Sequence, residues 1–532
     1  MAMSMLGDGA ITVVDFGDGA TNQGASHEAL VFAVARNLPV LFVCENNGWA
    51  EMTPIAATVP GTTLAARAGS YGMPAEQVDG HTPASLLEAV DRAVAHVRAG
   101  GPAFLEIGVP RLGGHYNADI EHYRPSEDKE LAKDRDPLAA VRLELEQQTP
   151  GEADRIDTDV EQRLEAARTA ALAAPLAWSD PAAHVVSSGV VPRPAPLPTE
   201  AEERNFGQAA NLALHHAMKA DSRVVVFGED VAIPGGVYGV TRNLFKHYGG
   251  QRVFDTPISE SAILGAAVGA SQSGLRPVVE IMWSDFLLVA LDQLVNQAAN
   301  VRYLSRGAIT APMVVRTQQG TSPGSCAQHS QSLEAVLAHI PGLKVGIPST
   351  PQDAYTMLRS AINDPDPCVI IESRVMYLEK GLVDTEQPVE AVGGARLERQ
   401  GTDALIVSWG RMMQESRRAA DQLASAGIDV GLLDLRWIAP LDFTAVLSAV
   451  RSHGGRVVIA HEATRTGGFG AELSARIHEA MELEGSVVVR RVATPDTRIP
   501  AAPSLLADLV PNASTIRDAV AQLLASTAVR SA

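Results

Sequence analysis

The chain has 532 residues, a formal net charge of −19, 46% hydrophobic residues and 20% charged residues. This length predicts about two to four domains, and the apolar content is typical of a globular protein and argues against a disordered one. The negative charge argues against nucleic-acid binding, which depends on Lys and Arg, and no apolar run reaches the ~18 residues of a membrane span.

The N-terminus and the cysteines predict the compartment. The first residues lack both the basic head and the apolar core of a signal peptide. Cys44, Cys326 and Cys368 are scattered, without the paired spacing of a disulfide framework or a zinc site. We therefore expect a cytoplasmic protein that contacts neither a membrane nor nucleic acid.

Short apolar runs alternate with helical stretches in three successive blocks. The first block, residues 1–180, ends in an Ala-, Glu- and Arg-rich helical stretch, and a Pro-rich linker follows over residues 181–200. Strand-like runs such as RVVVFGED occur in the second block, residues 201–385, and runs such as RVVIAHE occur in the third, residues 386–532. This alternation predicts an α/β fold with three doubly wound domains, each a mainly parallel sheet covered by helices.

The most informative segment lies near the start of the first block. Residues 13–16 are predicted to form a buried strand, 17–19 a turn, 23–37 a helix and 39–44 a second strand. A right-handed crossover places both strands in one parallel sheet, and the loops after them emerge at the same carboxyl edge, where such sheets bind ligands. Asp18 and Asn47 are therefore expected to converge.

The residue types at this edge suit a divalent cation and a phosphate. The Asp18 carboxylate and the Asn47 amide oxygen are ligands of the kind that magnesium takes together with phosphate and water. Gly17 and Gly19 allow the backbone to approach a phosphate closely, and the following helix directs its N-terminus there. The alternative is that the glycines form only a turn and that the two asparagines form only a polar loop.

These residues carry a resemblance to a known family. The GDG and NN motifs resemble the thiamine-diphosphate fingerprint, and GDGATNQG with LPVLFVCENN resembles the alpha subunit of 2-oxoacid dehydrogenases, their decarboxylating component. From Phe206 onward, segments such as RVFDTPISES, AQHSQSLEA and HEATRTGGFGAEL resemble the beta subunit. The resemblance implies three domains of the thiamine-diphosphate-binding, transketolase-like type: an incomplete pyrophosphate domain, a pyrimidine domain and a transketolase C-terminal-like domain.

The resemblance implies roles for residues at both ends of the cofactor. Magnesium would be bound by Asp18, Asn47 and the backbone carbonyl of Trp49, and the amides of Gly19 and Ala20 would bind the diphosphate. Glu260 matches the family's catalytic glutamate, since a carboxyl hydrogen-bonded to the aminopyrimidine ring nitrogen favours the imino tautomer that activates the cofactor. The alternative is that Glu260 only opens a helix that Ser259 caps.

Two histidines and two further residues match family positions. His329 matches an active-site histidine, and His115 lies in a loop where Tyr116 replaces the family's serine; such imidazoles can donate and accept protons, although either could be a solvated loop residue. Glu229 would belong to a proton path between two active sites, and Phe286 would lie against the pyrimidine. Both could equally be ordinary strand-end and core residues.

The resemblance also predicts an assembly. In the resembling alpha subunits, roughly half of the pyrophosphate domain precedes the metal-binding strand, whereas Met1 stands here shortly before Val13. A parallel strand with an uncovered face and edge is prone to wrong pairing. We expect a second chain to supply the missing N-terminal half of the alpha module, with two copies of each chain in a heterotetramer.

Three functions stay open at this stage. The first is a decarboxylating enzyme that uses thiamine diphosphate and Mg²⁺ to take a 2-oxo substrate and transfer its acyl unit to a lipoyl group or an acyl carrier protein. The second is a hybrid transketolase that moves a two-carbon ketol unit from a ketose phosphate to an acyl carrier protein in natural-product biosynthesis. The third is a catalytically silent assembly subunit, against which the joint presence of Asp18, Asn47 and Glu260 argues.

Overall fold

The computed structural model describes residues 1–7, 9–176, 180–187 and 191–531. The chain divides into two units, Met1–Asp180 and Pro181–Ala532. Within the described ranges, no helix combines the length and the apolar character that crossing a bilayer requires.

The strands of the first unit are β1 (Thr12–Gly17), β2 (Val40–Asn46), β3 (Trp49–Ala50), β4 (Thr53–Pro54), β5 (Ala75–Asp79) and β6 (Ala103–Gly108). Its helices are α1 (Ala2–Leu6), α2 (Gly24–Ala35), α3 (Ile55–Thr58), α4 (Leu64–Gly69), α5 (Pro83–Ala99), α6 (Ser126–Asp134), α7 (Pro137–Gln148) and α8 (Glu152–Ala173). Four strands form a parallel sheet in the order β1-β2-β6-β5, and β3 pairs with β4 in an antiparallel hairpin.

The predicted order of strand, helix and strand is confirmed, but the prediction of a buried first strand is wrong, because β1 is mostly exposed, and the element boundaries differ. β1 and β2 are adjacent and parallel on either side of α2 in the chain, so that both strands end at one edge of the sheet. Gly17 still belongs to β1, and Asp18–Asn22 forms a 3₁₀ helix, which delays the start of α2 to Gly24. Asn37, predicted to end the helix, lies beyond it with a φ of 49°, a left-handed conformation that Asn tolerates.

The sheet of the first unit is buried at its centre and open at one side. Leu41 on β2 and Leu105 on β6 belong to a core cluster with Ala89 and Val97 of α5. β1 is an edge strand, and Val13 keeps 50% of its surface exposed. At the other end of the unit, every residue of α8 from Asp154 onward is exposed.

The strands of the second unit are β7 (Glu202–Asn205), β8 (Val224–Gly228), β9 (Val253–Asp255), β10 (Arg276–Ile281), β11 (Val314–Gln319), β12 (Lys344–Gly346), β13 (Cys368–Ser373), β14 (Lys380–Val383), β15 (Arg396–Arg399), β16 (Ala404–Ser408), β17 (Val430–Asp434), β18 (Trp437–Ala439), β19 (Arg456–Thr464) and β20 (Val488–Thr494). Its helices are α9 (Phe206–Ala220), α10 (Leu244–Tyr248), α11 (Glu260–Gln272), α12 (Ser284–Leu287), α13 (Val301–Leu304), α14 (Glu334–Ala338), α15 (Pro351–Asn363), α16 (Arg411–Ser425), α17 (Phe443–Ser452), α18 (Phe469–Met481), α19 (Pro503–Leu506) and α20 (Ala513–Ser531).

Two large sheets organise the second unit. One has the order β18-β12-β13-β11-β10-β8-β9 and is parallel except for β18, and the other has the order β15-β17-β16-β19-β20 and is parallel except for β15. β7 and β14 form a separate antiparallel pair. These sheets, with helices between their strands, confirm the predicted α/β class.

Local sequence explains how the seven-stranded sheet is covered. Asn205 caps α9 with a reciprocal bond to Gln208, each side chain accepting from the other's backbone N–H. Leu214 of α9 and Tyr355 of α15 are fully buried in one core cluster with residues of β8, β10, β11 and β13. Hydrophobic burial on this face therefore holds the strands whose ends carry the candidate site.

A buried charge cluster joins the three central strands of that sheet. Arg316 on β11 is 1% exposed and donates to Glu280 on β10 at 2.5 Å and to Glu372 on β13 at 2.7 and 2.9 Å. The Tyr377 hydroxyl also donates to Glu372 at 2.5 Å. Each ion in this cluster is paired, as a buried charge requires.

The predicted domain boundaries stay predictions. β18 lies in the predicted third domain and pairs with β12 of the predicted second domain. Part of the predicted linker packs on the second unit, where Ser187 donates to Asp366 and the Ala195 N–H donates to Glu390. Residues 188–190 of that linker and residues 177–179 before it lie outside the described residues.

Candidate functional site

Asp18 and Asn47 meet at the carboxyl edge of the first unit's sheet. Asp18 directly follows β1, and its side chain is 1% exposed. The backbone N–H of Asn47, in the loop after β2, donates a hydrogen bond to the Asp18 carboxylate. The predicted convergence is therefore present in the fold, as two neighbouring parallel strands require.

The Asp18 carboxylate is incompletely paired. Its Oδ2 atom is buried and has no hydrogen-bond partner. Burial raises the pKa of Asp18, and the backbone N–H groups of Asp18 and Asn47, with Arg111, counteract only part of that rise. A buried carboxylate oxygen without a donor is energetically unfavourable, and a bound cation relieves this penalty.

Trp49 and Gly19 lie beside this carboxylate. The side-chain oxygen of Asn47 accepts from the Trp49 N–H at 3.0 Å and turns the chain into β3. A Cβ at Gly19 would lie 2.7 Å from the Ala50 Cβ, whereas a Cβ at Gly17 would meet nothing. Glycine is therefore required at position 19 because the backbone approaches β3 closely. The prediction had given the close approach of a phosphate as the reason.

The predicted diphosphate-binding segment is also part of a turn. The Ala20 carbonyl accepts from the Gln23 N–H at 3.1 Å and from the Ser26 hydroxyl at 2.7 Å. Gly19 and Ala20 lie within the 3₁₀ helix Asp18–Asn22, and α2 begins at Gly24, next to the predicted start at Gln23.

His115 lies in an exposed loop that a buried network holds in place. Its backbone N–H donates to Asp119 at 2.8 Å, and the Tyr123 hydroxyl donates to the same carboxylate oxygen at 2.6 Å. Tyr123 foremost, then the His115 N–H, lowers the pKa of Asp119 to about 2. Arg111 donates to the Tyr123 oxygen at 2.6 Å. Sequence reasoning missed these three supporting residues. The only hint of their role in the sequence is that they lie close to His115 along the chain.

In the second unit, two glutamates interact at the ends of neighbouring elements. Glu229 directly follows β8, and Glu260 is the first residue of α11. Burial foremost, then the charges of Glu260 and Asp230, raises the pKa of Glu229 to about 7. The Ser259 hydroxyl donates to the Ile258 carbonyl and does not cap α11, contrary to the simple capping alternative.

His329 and Phe286 also come together in the second unit. Their rings are 5.7 Å apart at 83°, and the Trp283 ring lies 5.6 Å from His329 at 78°. The Arg374 guanidinium carbon lies 5.5 Å from the Trp283 ring centroid, and Arg374 donates to the His329 carbonyl. Trp283 and Arg374 were missed by sequence reasoning, and the MWSDF segment was the only hint of an aromatic wall.

In the part of the chain that the structure describes, neither unit contains a metal cluster built from acidic, histidine and cysteine side chains alone. Among the described residues, no three His, Cys, Asp or Glu side chains could jointly hold a metal ion. A cation at Asp18 would therefore depend on amide and backbone oxygens, and on oxygens of its own ligand.

Three family profiles match successive parts of the chain. "Dehydrogenase E1 component" matches residues 1–177, "Transketolase, pyrimidine binding domain" matches residues 202–379, and "Transketolase, C-terminal domain" matches residues 393–516.

Curated relatives and a solved structure extend these matches. The chain is 41% identical over 319 residues, 60% of its length, to a 3-methyl-2-oxobutanoate dehydrogenase subunit beta of Mycobacterium tuberculosis, and covers 91% of that subunit. It is 40% identical over 55% of its length to a pyruvate dehydrogenase E1 component subunit beta of Bacillus subtilis, and covers 90% of that subunit. A mutant transketolase of Pichia stipitis shares the fold over 97% of this chain and 76% of its own, with a TM-score of 0.63 at 13% identity.

Proposed function

This chain belongs to the thiamine-diphosphate-dependent 2-oxoacid dehydrogenase E1 components of the transketolase-like superfamily, and we propose that Asp18, Asn47 and Trp49 hold the phosphate end of the cofactor through Mg²⁺. The single observation that carries this proposal is the buried Asp18 Oδ2 without a partner. Asn47 retains a second lone pair on an oxygen that already accepts from Trp49. Oxygen ligands of this kind suit Mg²⁺, which completes its octahedron with phosphate and water.

The second unit carries the residues proposed to bind an aminopyrimidine. Thiamine diphosphate, when bound, supplies the carbon nucleophile and electron sink that let a 2-oxo acid lose carbon dioxide. Glu260 would hydrogen-bond the aminopyrimidine, and Phe286 and Trp283 would form an apolar wall that excludes water. His329 would move a proton to or from the substrate oxygen, and Glu229, whose pKa of about 7 lets it hold or release a proton near neutrality, would exchange protons with Glu260.

In the first unit, His115 would be a second proton-transferring group. The loop that carries it is fixed by Asp119 and Tyr123, which leaves the imidazole itself exposed. The amides of Gly19 and Ala20 would bind the diphosphate. The donor would be a 2-oxo acid of the kind that the relatives' names state, and the acceptor a lipoyl group or a carrier-protein thiol.

A second polypeptide would cover β1. As an edge strand β1 has unpaired backbone groups, and Val13 and Val14 are 50% and 39% exposed. Beside it lies an apolar cavity of about 240 Å³ whose lining includes Val14, Phe16, Leu30, Phe42 and Phe104. Exposed apolar edges invite strand addition. The relatives are named as subunits, and we propose that a chain of the alpha class adds a strand here, within an assembly of two copies of each chain.

Binding of Mg²⁺ and thiamine diphosphate tests the metal site. Isothermal titration of the full chain with its alpha-class partner is expected to show binding that Asp18→Asn weakens by on the order of 100-fold, since even outer-shell changes cost about 10- to 100-fold. Glu45→Gln, an exposed acid at the end of β2, is the matched control and should bind normally. Equal affinity of Asp18→Asn and wild type would overturn the metal site.

Turnover tests the reaction and the acceptor. Carbon dioxide release from pyruvate and from 3-methyl-2-oxobutanoate is expected in wild type and lost in Glu260→Gln. Mass measurement of a lipoyl domain and an acyl carrier protein identifies the acceptor. Loading from a ketose phosphate without carbon dioxide release would favour ketol transfer, and no binding of cofactor even with the partner present would indicate a silent assembly subunit.

Hydrogen exchange tests the partner. The β1 amides should exchange rapidly in the isolated chain and become protected when the alpha-class chain is added, and Val13→Lys should abolish both the protection and the complex in size-exclusion chromatography. Protection of β1 in the isolated chain would show that the edge is covered without a second polypeptide and would contradict the proposal.

A further inference from the structure

His329 lies in a loop whose backbone is held from outside the loop. The histidine loop, residues 320–333, connects β11 to α14. It begins at Gly320 with a φ of +90° and contains Cys326 with a φ of 49°, so part of it is in a conformation that few residues adopt freely. Contacts with other segments must therefore maintain this shape.

Arg374 is the first of these contacts. It is 8% exposed, follows β13, and donates to the backbone carbonyls of both Gly320 and His329. One guanidinium thus joins the start of the loop to the residue that carries the imidazole. The same group lies over the Trp283 ring, which is one of the two rings packed edge-on against His329. Removing Arg374 would release the loop backbone and the aromatic wall together.

Glu462 is the second contact, and it comes from the five-stranded sheet. Its carboxylate, on β19, accepts from the Thr321 N–H at 2.6 Å and from the Thr321 hydroxyl at 2.7 Å. Arg411 at the start of α16 donates to the same carboxylate oxygen at 3.3 Å. A Cβ at Gly320 would lie 2.8 Å from Glu462 Oε2, so a larger residue there would displace this carboxylate, and the φ of +90° also favours glycine.

We propose that Arg374 and Glu462 are positioning residues that set the place of the His329 imidazole. The inference rests on the proposed function in one respect, that His329 acts on the substrate. The positioning itself does not depend on that role. Glu462, on the sheet of residues 396–494, holds the first residues of the loop through Thr321, and Arg374 connects the start of the loop to His329. Groups that must be placed to within about 0.5 Å need such support from their neighbours.

The position of the imidazole can be measured without cofactor or turnover. The full chain labelled with ¹³C at histidine Cε1 gives one signal per histidine, and His329→Gln assigns the signal of interest. In wild type, the rings of Trp283 and Phe286 are expected to displace this signal from that of an exposed histidine. Arg374→Met and Glu462→Gln should each move it toward the exposed position, and Arg374→Lys, which retains a cationic donor, should restore part of the displacement.

Glu415→Gln is the matched control. Glu415 is a buried carboxylate near the five-stranded sheet and accepts from the backbone N–H of Ala513 and from Arg418, away from the loop. This variant should leave the His329 signal unchanged. If Glu462→Gln fails to fold by circular dichroism, Thr321→Val removes only the hydroxyl donor and serves instead. An unchanged His329 signal in folded Arg374→Met and Glu462→Gln, or in Thr321→Val in place of the latter, would overturn the proposal.

Turnover separates this inference from the proposed function. In the reconstituted enzyme, Arg374→Met should lower kcat, and adding it to His329→Gln should cause a much smaller further loss, because only the effect of Arg374 on the Trp283 ring then remains. If His329→Gln keeps full turnover while the signals move as expected, the positioning stands and the assigned role of His329 fails. Full additivity of the two losses would count against positioning through His329.

Discussion

Removal of Arg316 is expected to destabilise the seven-stranded sheet strongly. Arg316→Met leaves Glu280 and Glu372 buried together, at 4% and 2% side-chain exposure, without their shared cation. Breaking a buried ion pair from one side costs about 3–5 kcal/mol, because the remaining charge has neither water nor a counter-ion. Since about 1.4 kcal/mol corresponds to a factor of ten, amide protection in β10, β11 and β13 should fall by ~100- to ~4,000-fold.

Hydrogen exchange with mass spectrometry on peptides covering these strands measures this loss. Arg302→Met is the control, because its partner Asp366 keeps Lys344 at 3.0 Å and the Ser187 hydroxyl at 2.6 Å. Protection in the sheet should change less in that variant. A fall of less than about tenfold for Arg316→Met would refute the claim that both carboxylates depend on Arg316.

The pH dependence of the loss gives a second check. Burial raises the pKa of Glu280 even with Arg316 beside it, and without that cation the acid form is favoured further. A carboxyl with a raised folded pKa contributes stability that is fully present below its unfolded pKa and is lost as pH rises through the folded value. The deficit of Arg316→Met should therefore be smaller near about pH 5 than near about pH 8.

Three further changes test other parts of the fold. Because burial and neighbouring charges raise the pKa of Glu229 to about 7, wild type should lose stability as pH rises through that value, and calorimetry of Glu229→Gln should show no such loss. Asp119→Asn should speed hydrogen exchange in residues 112–121 at neutral pH, since the lowered pKa of Asp119 makes its carboxylate stabilising there; equal exchange would show that the carboxylate is dispensable. Gly431→Ala would place a Cβ 2.1 Å from His453 Nε2. It should lower the free energy of unfolding, measured by urea titration, by about 1–3 kcal/mol. Gly269→Ala is the control, because a Cβ there would meet open space and should cause no such loss.

The sequence alone predicted those parts of the fold that depend on short-range residue patterns. The strand, turn and helix around Asp18 have short-range patterns, and parallel pairing of consecutive strands then brings Asp18 and Asn47 to one edge. Glu260 was likewise predicted at a helix start, where it lies. What failed was local detail: Asp18–Asn22 forms a 3₁₀ helix, and Gly19 packs against Ala50, a contact that no local pattern encodes.

Long-range polar contacts were beyond such reasoning. Arg374 supports His329 from 45 positions away, and Glu462 supports Thr321 from 141 positions away. Arg316 sits in a run that predicts a buried strand, but nothing in that run shows that two distant glutamates pair with it. The exposure of α8 is a related case, since helical composition predicts the helix without indicating what it contacts.

The pairing of buried acids distinguishes structural from functional carboxylates. Asp353 is fully buried, yet Arg396, Arg436 and Thr350 bond both of its oxygens. Among the described residues, the buried carboxylate oxygens without any hydrogen-bond partner belong to Asp18, Asp285 and Glu334. The first lies at the proposed metal site, and the other two are bonded through their second oxygens to Gln331 of the histidine loop and to Gln319 just before it. An unpaired buried oxygen must hold a proton, a water or a ligand. Among the described residues, such carboxylate oxygens occur only at these places. We therefore expect ligands there and assign a stabilising role to the fully paired buried acids.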